Sequence, residues 1–231
     1  MRSKRRVLWT VFSGIGYQER FLVKKDPYGN IAKWYDTIFQ SMNTGLIAKS
    51  MELFPPEEGM SVLDVGCGTG IQLTRYQSVG CEIFGIDPSP AMLATAREKL
   101  GNDAKLHLGD AAHMPYANGC FDRVTAMLVL HEMSTTCRDA VMVEAKRVLR
   151  KNGRILLIDF HPGPLRPLKG WFNKALITFF EMGAGREHFR NYRDFIACKG
   201  IPRLASHHGL MIEAQRVVSG GNLGIFLLRS G

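Results

Sequence analysis

The chain has 231 residues, 45% hydrophobic and 22% charged, with a formal net charge of +9. That is enough apolar content for one α/β domain with a full core, and the chain shows no internal repeat, low-complexity tract or second domain. Its five cysteines (Cys67, Cys81, Cys120, Cys137 and Cys198) are odd in number and form no C-x-x-C or clustered His/Cys spacing, which argues against a disulfide framework or a structural metal site and for a reducing compartment.

The charge is concentrated at the start. Arg2, Lys4, Arg5, Arg6, Arg20, Lys24 and Lys25 face a single acid, Glu19, and they flank Val7, Leu8, Trp9, Val11, Phe12 and Ile15. The apolar run is interrupted by Thr10, Ser13 and Gly14 and lacks a small-x-small cleavage site, so it is not read as a signal peptide. It is too short to span a bilayer. Residues 1–25 are therefore expected to form a basic, apolar arm lying on an anionic membrane surface. A solvated terminus and a nucleic-acid contact are the competing readings. Residues 26–231 are expected to form one domain. Residues 17–54 look helical, interrupted by Asp26-Pro27-Tyr28-Gly29-Asn30, and Pro55-Pro56 ends that segment.

Residues 62–70, VLDVGCGTG, carry the most information. A β-rich stretch runs into Gly66-Cys67-Gly68-Thr69-Gly70, and helical residues follow. Such a turn marks a nucleotide-type site in an open α/β sheet. The spacing is G-x-G-x-G, with Ile71 where a dinucleotide fingerprint would place its third glycine. Asp64, two residues before the loop, would repel a pyrophosphate and suit a ligand carrying an ammonium. S-adenosylmethionine (SAM) carries an ammonium, a carboxylate and a sulfonium, and no phosphate.

Further strand–turn–helix units follow in order. A second strand ends at Asp87 before a helix beginning near Ser89, and an acid there can hold two ribose hydroxyls. Asp110 follows the strand KLHL. FDRVTAMLVLHEM (121–133) reads as a fourth strand entering a helix. AKRVLRKNGRILLIDF (145–160) reads as a basic helix, an Asn-Gly turn and a fifth strand. This alternation is the signature of a doubly wound parallel sheet.

With these four ordered motifs, the chain resembles the class I SAM-dependent methyltransferases, strongly over about residues 30–160 and more weakly to the C-terminus. The resemblance implies a Rossmann-like seven-stranded sheet, mostly parallel with an antiparallel C-terminal strand. It also implies that Asp64, Gly66, Gly68 and Gly70 surround the methionyl part of SAM, with Cys67 as a small loop filler. Asp87 would hold the ribose, and Pro88 and Met92 would pack beside the adenine. Asp110 and the Ala111 amide would read the adenine edge, with helix capping as the other reading of Asp110. Leu128 would line the cleft, and Tyr35 would reach the cofactor from an N-terminal helix. No metal is expected.

After the fifth strand, HPGPLRP (161–167) breaks the pattern. Leu168, Trp171, Phe172, Ala175, Leu176, Phe179, Phe180 and Met182 then recur at helical spacing. The segment 162–192 is read as a helical lid over an acceptor pocket, with plain core packing as the alternative. Residues 193–210 read as a helix broken at Ile201-Pro202, followed by two antiparallel strands around Gly220-Gly221-Asn222.

Methyl transfer needs alignment and exclusion of water, and a base only where the acceptor must lose a proton. His131 and His161, at the rim where open-sheet sites lie, are the catalytic candidates, with Glu132 beside His131 also able to face the cleft and His188 and Tyr192 more remote. His207-His208 is read as a surface helix end. Residues 126–132, AMLVLHE, lack the Asn/Asp-Pro-Pro-Tyr-like loop of base N-methyltransferases. IAKWYD, HFRNYRDF and SGGNLGIF are similar to segments of the ubiquinone/menaquinone-biosynthesis and phospholipid methyltransferases. The expected acceptor is a small lipophilic molecule, with RNA or protein methylation through the basic arm as the alternative. The expected location is the cytoplasm, with peripheral contact at the inner membrane surface.

Overall fold

The computed structural model describes the backbone of residues 32–231 and the side chains from Asn43 onward; the arm expected at residues 1–25 and the Tyr35 side chain lie outside the described residues. A long helix α1 (Ala32–Leu53) leads into β1 (Ser61–Val65), α2 (Ile71–Ser78), β2 (Glu82–Asp87), α3 (Pro90–Leu100) and β3 (Lys105–Leu108). Then come β4 (Phe121–Met127), α4 (Thr135–Val148) and β5 (Leu149–Phe160). The chain finishes with α5 (Lys169–Gly183), α6 (Arg186–Ala197), α7 (Gly200–His207), β6 (Leu210–Val218) and β7 (Leu223–Ser230).

The seven strands form one sheet in the order β3-β2-β1-β4-β5-β7-β6. Strands β1 to β5 pair in parallel, and β7 runs antiparallel between β5 and β6. Adjacent residues of a strand point to opposite faces. Val62 and Ile83 therefore enter a core with Leu73, Tyr76, Leu93 and Leu100. Leu63, Val65, Phe84 and Ile86 enter a larger one with Phe121, Val141, Phe195 and Phe226. Both faces are covered, as a doubly wound sheet requires.

Arg123 of β4 is fully buried and ties α1 to the sheet. Its guanidinium donates to Phe54 O at 3.1 Å and Pro55 O at 3.3 Å and lies over the Phe54 ring. These bonds satisfy carbonyls where α1 ends and fix its position relative to β1 and β4.

Several boundaries differ from the sequence expectation. Asn152-Gly153 does not turn the chain: α4 hands over directly to β5, which runs through both residues, and a register shift between Phe121 and Arg123 absorbs the irregularity. After β4 a 3₁₀ turn, Leu130–Glu132, precedes α4, which begins only where the Ser134 hydroxyl accepts the Cys137 N–H at 3.3 Å. The helix break expected at Ile201-Pro202 falls instead at Cys198–Lys199, where Lys199 is left-handed (φ 64°). Pro202 sits in the first turn of α7, where a missing N–H is tolerated.

The core-packing reading of the 168–182 stripe does not hold. Trp171, Phe172, Phe179, Phe180 and Met182 are exposed, while the buried residues of α5 are Gly170 and Glu181. Polar contacts hold the helix instead. The Asn173 side chain donates to Ser219 O, Asn222 donates to Gly170 O, and Lys174 donates to the Tyr192 hydroxyl. Among the described residues no helix is long and apolar enough to cross a membrane.

Two glycines of the loop after β1 have different constraints. Both are left-handed, but a Cβ on Gly66 would lie 2.5 Å from Val129 Cγ2, whereas one on Gly68 would meet nothing nearer than Met92 Sδ at 4.0 Å. Gly66→Ala should therefore cost roughly 2–4 kcal/mol of stability, from overpacking plus a left-handed alanine. Gly68→Ala should cost about 1 kcal/mol. Denaturant unfolding of the two variants checks the order.

Candidate functional site

The strand order reverses between β1 and β4, and the cleft opens at their C-terminal ends, where ligands bind in open α/β sheets. Gly66, Cys67, Gly68, Thr69 and Ile71 line it after β1. Asp87, Pro88 and Met92 line it after β2, and Met127, Leu128, Val129 and Glu132 after β4; Asn43 of α1 closes one side.

The loop is shaped by backbone bonds to the next strand. Gly66 and Cys67 amides donate to Ile86 O at 2.8 and 3.3 Å, and Gly70 N–H donates to Cys67 O at 2.9 Å. Asp87 locks the loop from outside: one carboxylate oxygen accepts the Gly68 N–H and the other the Ser89 N–H, each at 2.8 Å. Asp64 is buried behind the loop and is not among the lining residues. Burial, with the nearby Asp87 charge, holds its carboxyl well above the usual range. The same burial and the same two acids push the Cys67 thiol up, so it is a loop filler and no nucleophile.

Of the other expected cofactor residues, Gly70 caps α2 and packs on Leu100 of α3. Asp110 caps the short 3₁₀ turn Ala111–His113, accepting the Ala112 N–H at 2.8 Å, and Ala111 is buried; neither lines the cleft. Leu128 does, and it is held in a left-handed conformation (φ 55°) while its N–H donates to Ile158 O at 2.8 Å. Strained backbone of this kind persists only where its surroundings fix it.

The two histidine candidates lie beside the cleft, not in its lining. His131 is buried beneath α5 and α6. Its Nδ1 lies 2.7 Å from Asp159 Oδ1, and its Nε2 faces Glu181 Oε2 at 3.6 Å. His188 Nε2 meets the same Glu181 oxygen at 2.7 Å. Burial would lower the His131 pKa, but the Asp159 carboxylate, with Glu132 and Glu181, outweighs it and holds the ring at about 9. Asp159 also accepts the Leu130 and His131 amides at 2.9 and 3.2 Å, so it shapes the turn that carries Glu132 to the cleft. His161 sits against Phe226, with Nδ1 3.3 Å from Gly221 O and 3.2 Å from Gly163 N, and burial lowers its pKa. Tyr192 packs on Phe160 and Phe189. His207 and His208 are at the end of α7, where His208 Nε2 lies 3.0 Å from Asp139.

Residues 63–157 match the family model described as a methyltransferase domain. The chain is 30% identical over 141 residues to a demethylmenaquinone methyltransferase of Thermotoga maritima, which covers 58% of this chain and 60% of that protein. It is 27% identical over 235 residues to a demethylmenaquinone methyltransferase of Desulfitobacterium hafniense, covering 93% and 91%. A SAM-dependent methyltransferase from Aquifex aeolicus shares the fold with a TM-score of 0.62 at 20% identity, covering 89% of this chain and 99% of that one. Residues 63–157 of the chain form a SAM-dependent methyltransferase domain.

The cleft of this methyltransferase fits SAM. Asn43 Oδ1 is buried, lines the cleft and has no hydrogen-bond partner among the described residues, so it is placed to accept from a donor such as an ammonium. The Asp87 carboxylate in the lining favours a cationic ligand over a pyrophosphate. Met92, Met127, Leu128 and Val129 supply apolar walls. Asn43 was not foreseen, because an asparagine inside a helical segment carries no motif. Its role follows only from where Arg123 fixes the end of α1.

Asn43→Ala should weaken SAM binding about ten-fold, and Asp87→Ala by about ten- to a hundred-fold, as expected for charge-assisted hydrogen bonds. Titration calorimetry on folded variants measures both. Asp159→Ala should cost about 3–5 kcal/mol of stability, because it leaves a buried imidazole and two amides without their carboxylate. Unfolding near wild-type denaturant concentration would contradict that assignment.

Proposed function

We propose that this methyltransferase transfers the SAM methyl group to a small lipophilic acceptor, of the demethylmenaquinone kind that its relatives' names give, taken up at a membrane surface beneath a lid formed by α5 and α6. The observation that carries this reading is the exposed apolar face of α5 (Trp171, Phe172, Phe179, Phe180 and Met182), beside the rim of β4 and β5. Exposed apolar patches of this kind mark contact with lipid or apolar ligands. The basic, apolar sequence of residues 1–25 supports the same surface. The cytoplasm is the proposed compartment.

SAM supplies the electrophilic methyl. The chain aligns and shields it: Asn43 and Asp87 fix the cofactor's polar groups, while Asp110, Ala111 and Tyr35 are proposed as cofactor contacts on the sequence resemblance alone. Met127, Leu128 and Val129 keep water from the transfer site. Glu132 lines the cleft and is the carboxylate placed to take a proton from the acceptor, with His131 as the positioning residue behind it. Asn191 of α6 donates to Glu132 O at 2.7 Å, coupling the lid to this turn.

Labelled methyl from SAM should enter a quinol or phenolic lipid presented in anionic vesicles, and not total RNA. Transfer to RNA alone would overturn the reading. Trp171→Ala and Phe179→Ala, being exposed, should change stability by about 0.5 kcal/mol or less. They should nevertheless lower turnover of the vesicle-borne acceptor while SAM affinity stays constant. Glu132→Gln should lower kcat with SAM affinity retained. Wild-type turnover in all three would remove the assignments.

A further inference from the structure

Helix α5 is inverted relative to an ordinary amphipathic helix. It exposes its aromatic residues and buries a glutamate. An ionised carboxylate taken out of water needs opposite charge and hydrogen bonds to compensate. The Glu181 carboxylate meets two imidazoles: His188 Nε2 at 2.7 Å and His131 Nε2 at 3.6 Å. One ligand atom from each of His131, Glu181 and His188 lies within 4.8 Å of the others. The three residues come from the turn after β4, the end of α5 and the start of α6. Nothing in their sequence spacing announces the cluster.

We propose that His131, Glu181 and His188 form a binding site for a borderline first-row divalent cation of the Zn2+ class. The donor set is two imidazole nitrogens and one carboxylate oxygen, which suits such a cation and not Mg2+ or Ca2+. The support around it is also that of a metal site. Asp159 Oδ1 holds His131 Nδ1 at 2.7 Å, the carboxylate–histidine arrangement that orients a ligating ring and leaves Nε2 for the cation. Asp159 is itself fixed by the Leu130, His131 and Phe160 amides.

The fit requires only a small adjustment. Ligand atoms about 2.0–2.1 Å from a tetrahedral zinc lie about 3.3 Å apart. The His131–Glu181 separation of 3.6 Å is already close to that, the His188–Glu181 separation of 2.7 Å must open by about 0.6 Å, and the two imidazole nitrogens, within 4.8 Å of each other, must come to the same spacing. His188 is on the first turn of α6 and partly exposed, so it can move. Such a site would clamp α5 and α6 onto the turn that carries Glu132. It is independent of the acceptor's identity.

The test reads metal, not turnover. Full-length protein is stripped with a chelator, reloaded with Zn2+ and passed through gel filtration, and its metal content and melting temperature are measured. About one equivalent per chain should be retained, with a raised melting temperature. Co2+ should give the visible absorption of a low-coordinate site. Glu181→Gln and His188→Gln should each abolish retention and the Co2+ spectrum, with circular dichroism reporting that both variants fold. Asp139, His207 and His208 form a second cluster at the surface, so His207→Ala should leave retention unchanged. No retained zinc, retention undiminished in Glu181→Gln and His188→Gln, loss of retention in His207→Ala, or an equal melting shift with Mg2+ would each overturn the proposal.

Discussion

The buried carboxylate of Asp159 is the interaction on which the working end of this molecule depends. It ends β5 with no solvent exposure and gathers four donors: the amides of Leu130, His131 and Phe160, and the His131 ring. A carboxylate in that position is tolerable only because every partner is polar and fixed. In return, the turn after β4 has one conformation. Leu128 and Val129 are held against the glycine loop, Glu132 is aimed at the cleft, and His131 is aimed at α5 and α6. The cleft wall, the Glu132 turn and the contacts to α5 and α6 thus meet at one acidic residue.

The cofactor cleft is built by the same economy. Asp87 uses both oxygens to lock the amides of Gly68 and Ser89, so the acid at the end of β2 shapes the loop as well as facing the ligand. Asp64 lies behind it with its carboxyl pKa raised by burial and by the Asp87 charge. A carboxylate in the cleft lining suits a cofactor carrying an ammonium and a sulfonium better than a dinucleotide carrying two phosphates.

Helix α5 shows how polar contacts can hold an element whose apolar face is free. Asn173, Asn222 and Lys174 anchor its first half, and Glu181 anchors its end through His131 and His188. The hydrophobic effect, which normally orients a surface helix inward, here leaves an aromatic face outside. Exposure of that face is unfavourable unless something apolar meets it.

The sequence by itself determined the sheet, the order of its units and the cofactor. Strand alternation, the glycine spacing and the acids at positions 64 and 87 are local features with local physical causes, and they are legible one after another. Exact boundaries were not: the Asn152-Gly153 pair suggested a turn, but pairing of β4 with β5 carried the strand through it. Likewise the stripe from Leu168 to Met182 has helical spacing whichever way it faces, and only the polar anchors along α5 decide that it faces out. Asn43 and the His131–Glu181–His188 cluster became visible only in three dimensions. Each takes its role from neighbours distant in the chain, brought close by the β1–β4 crossover, by Arg123 and by Asp159. Spacing along a chain reports what one element does; convergence of side chains from several elements is decided by packing.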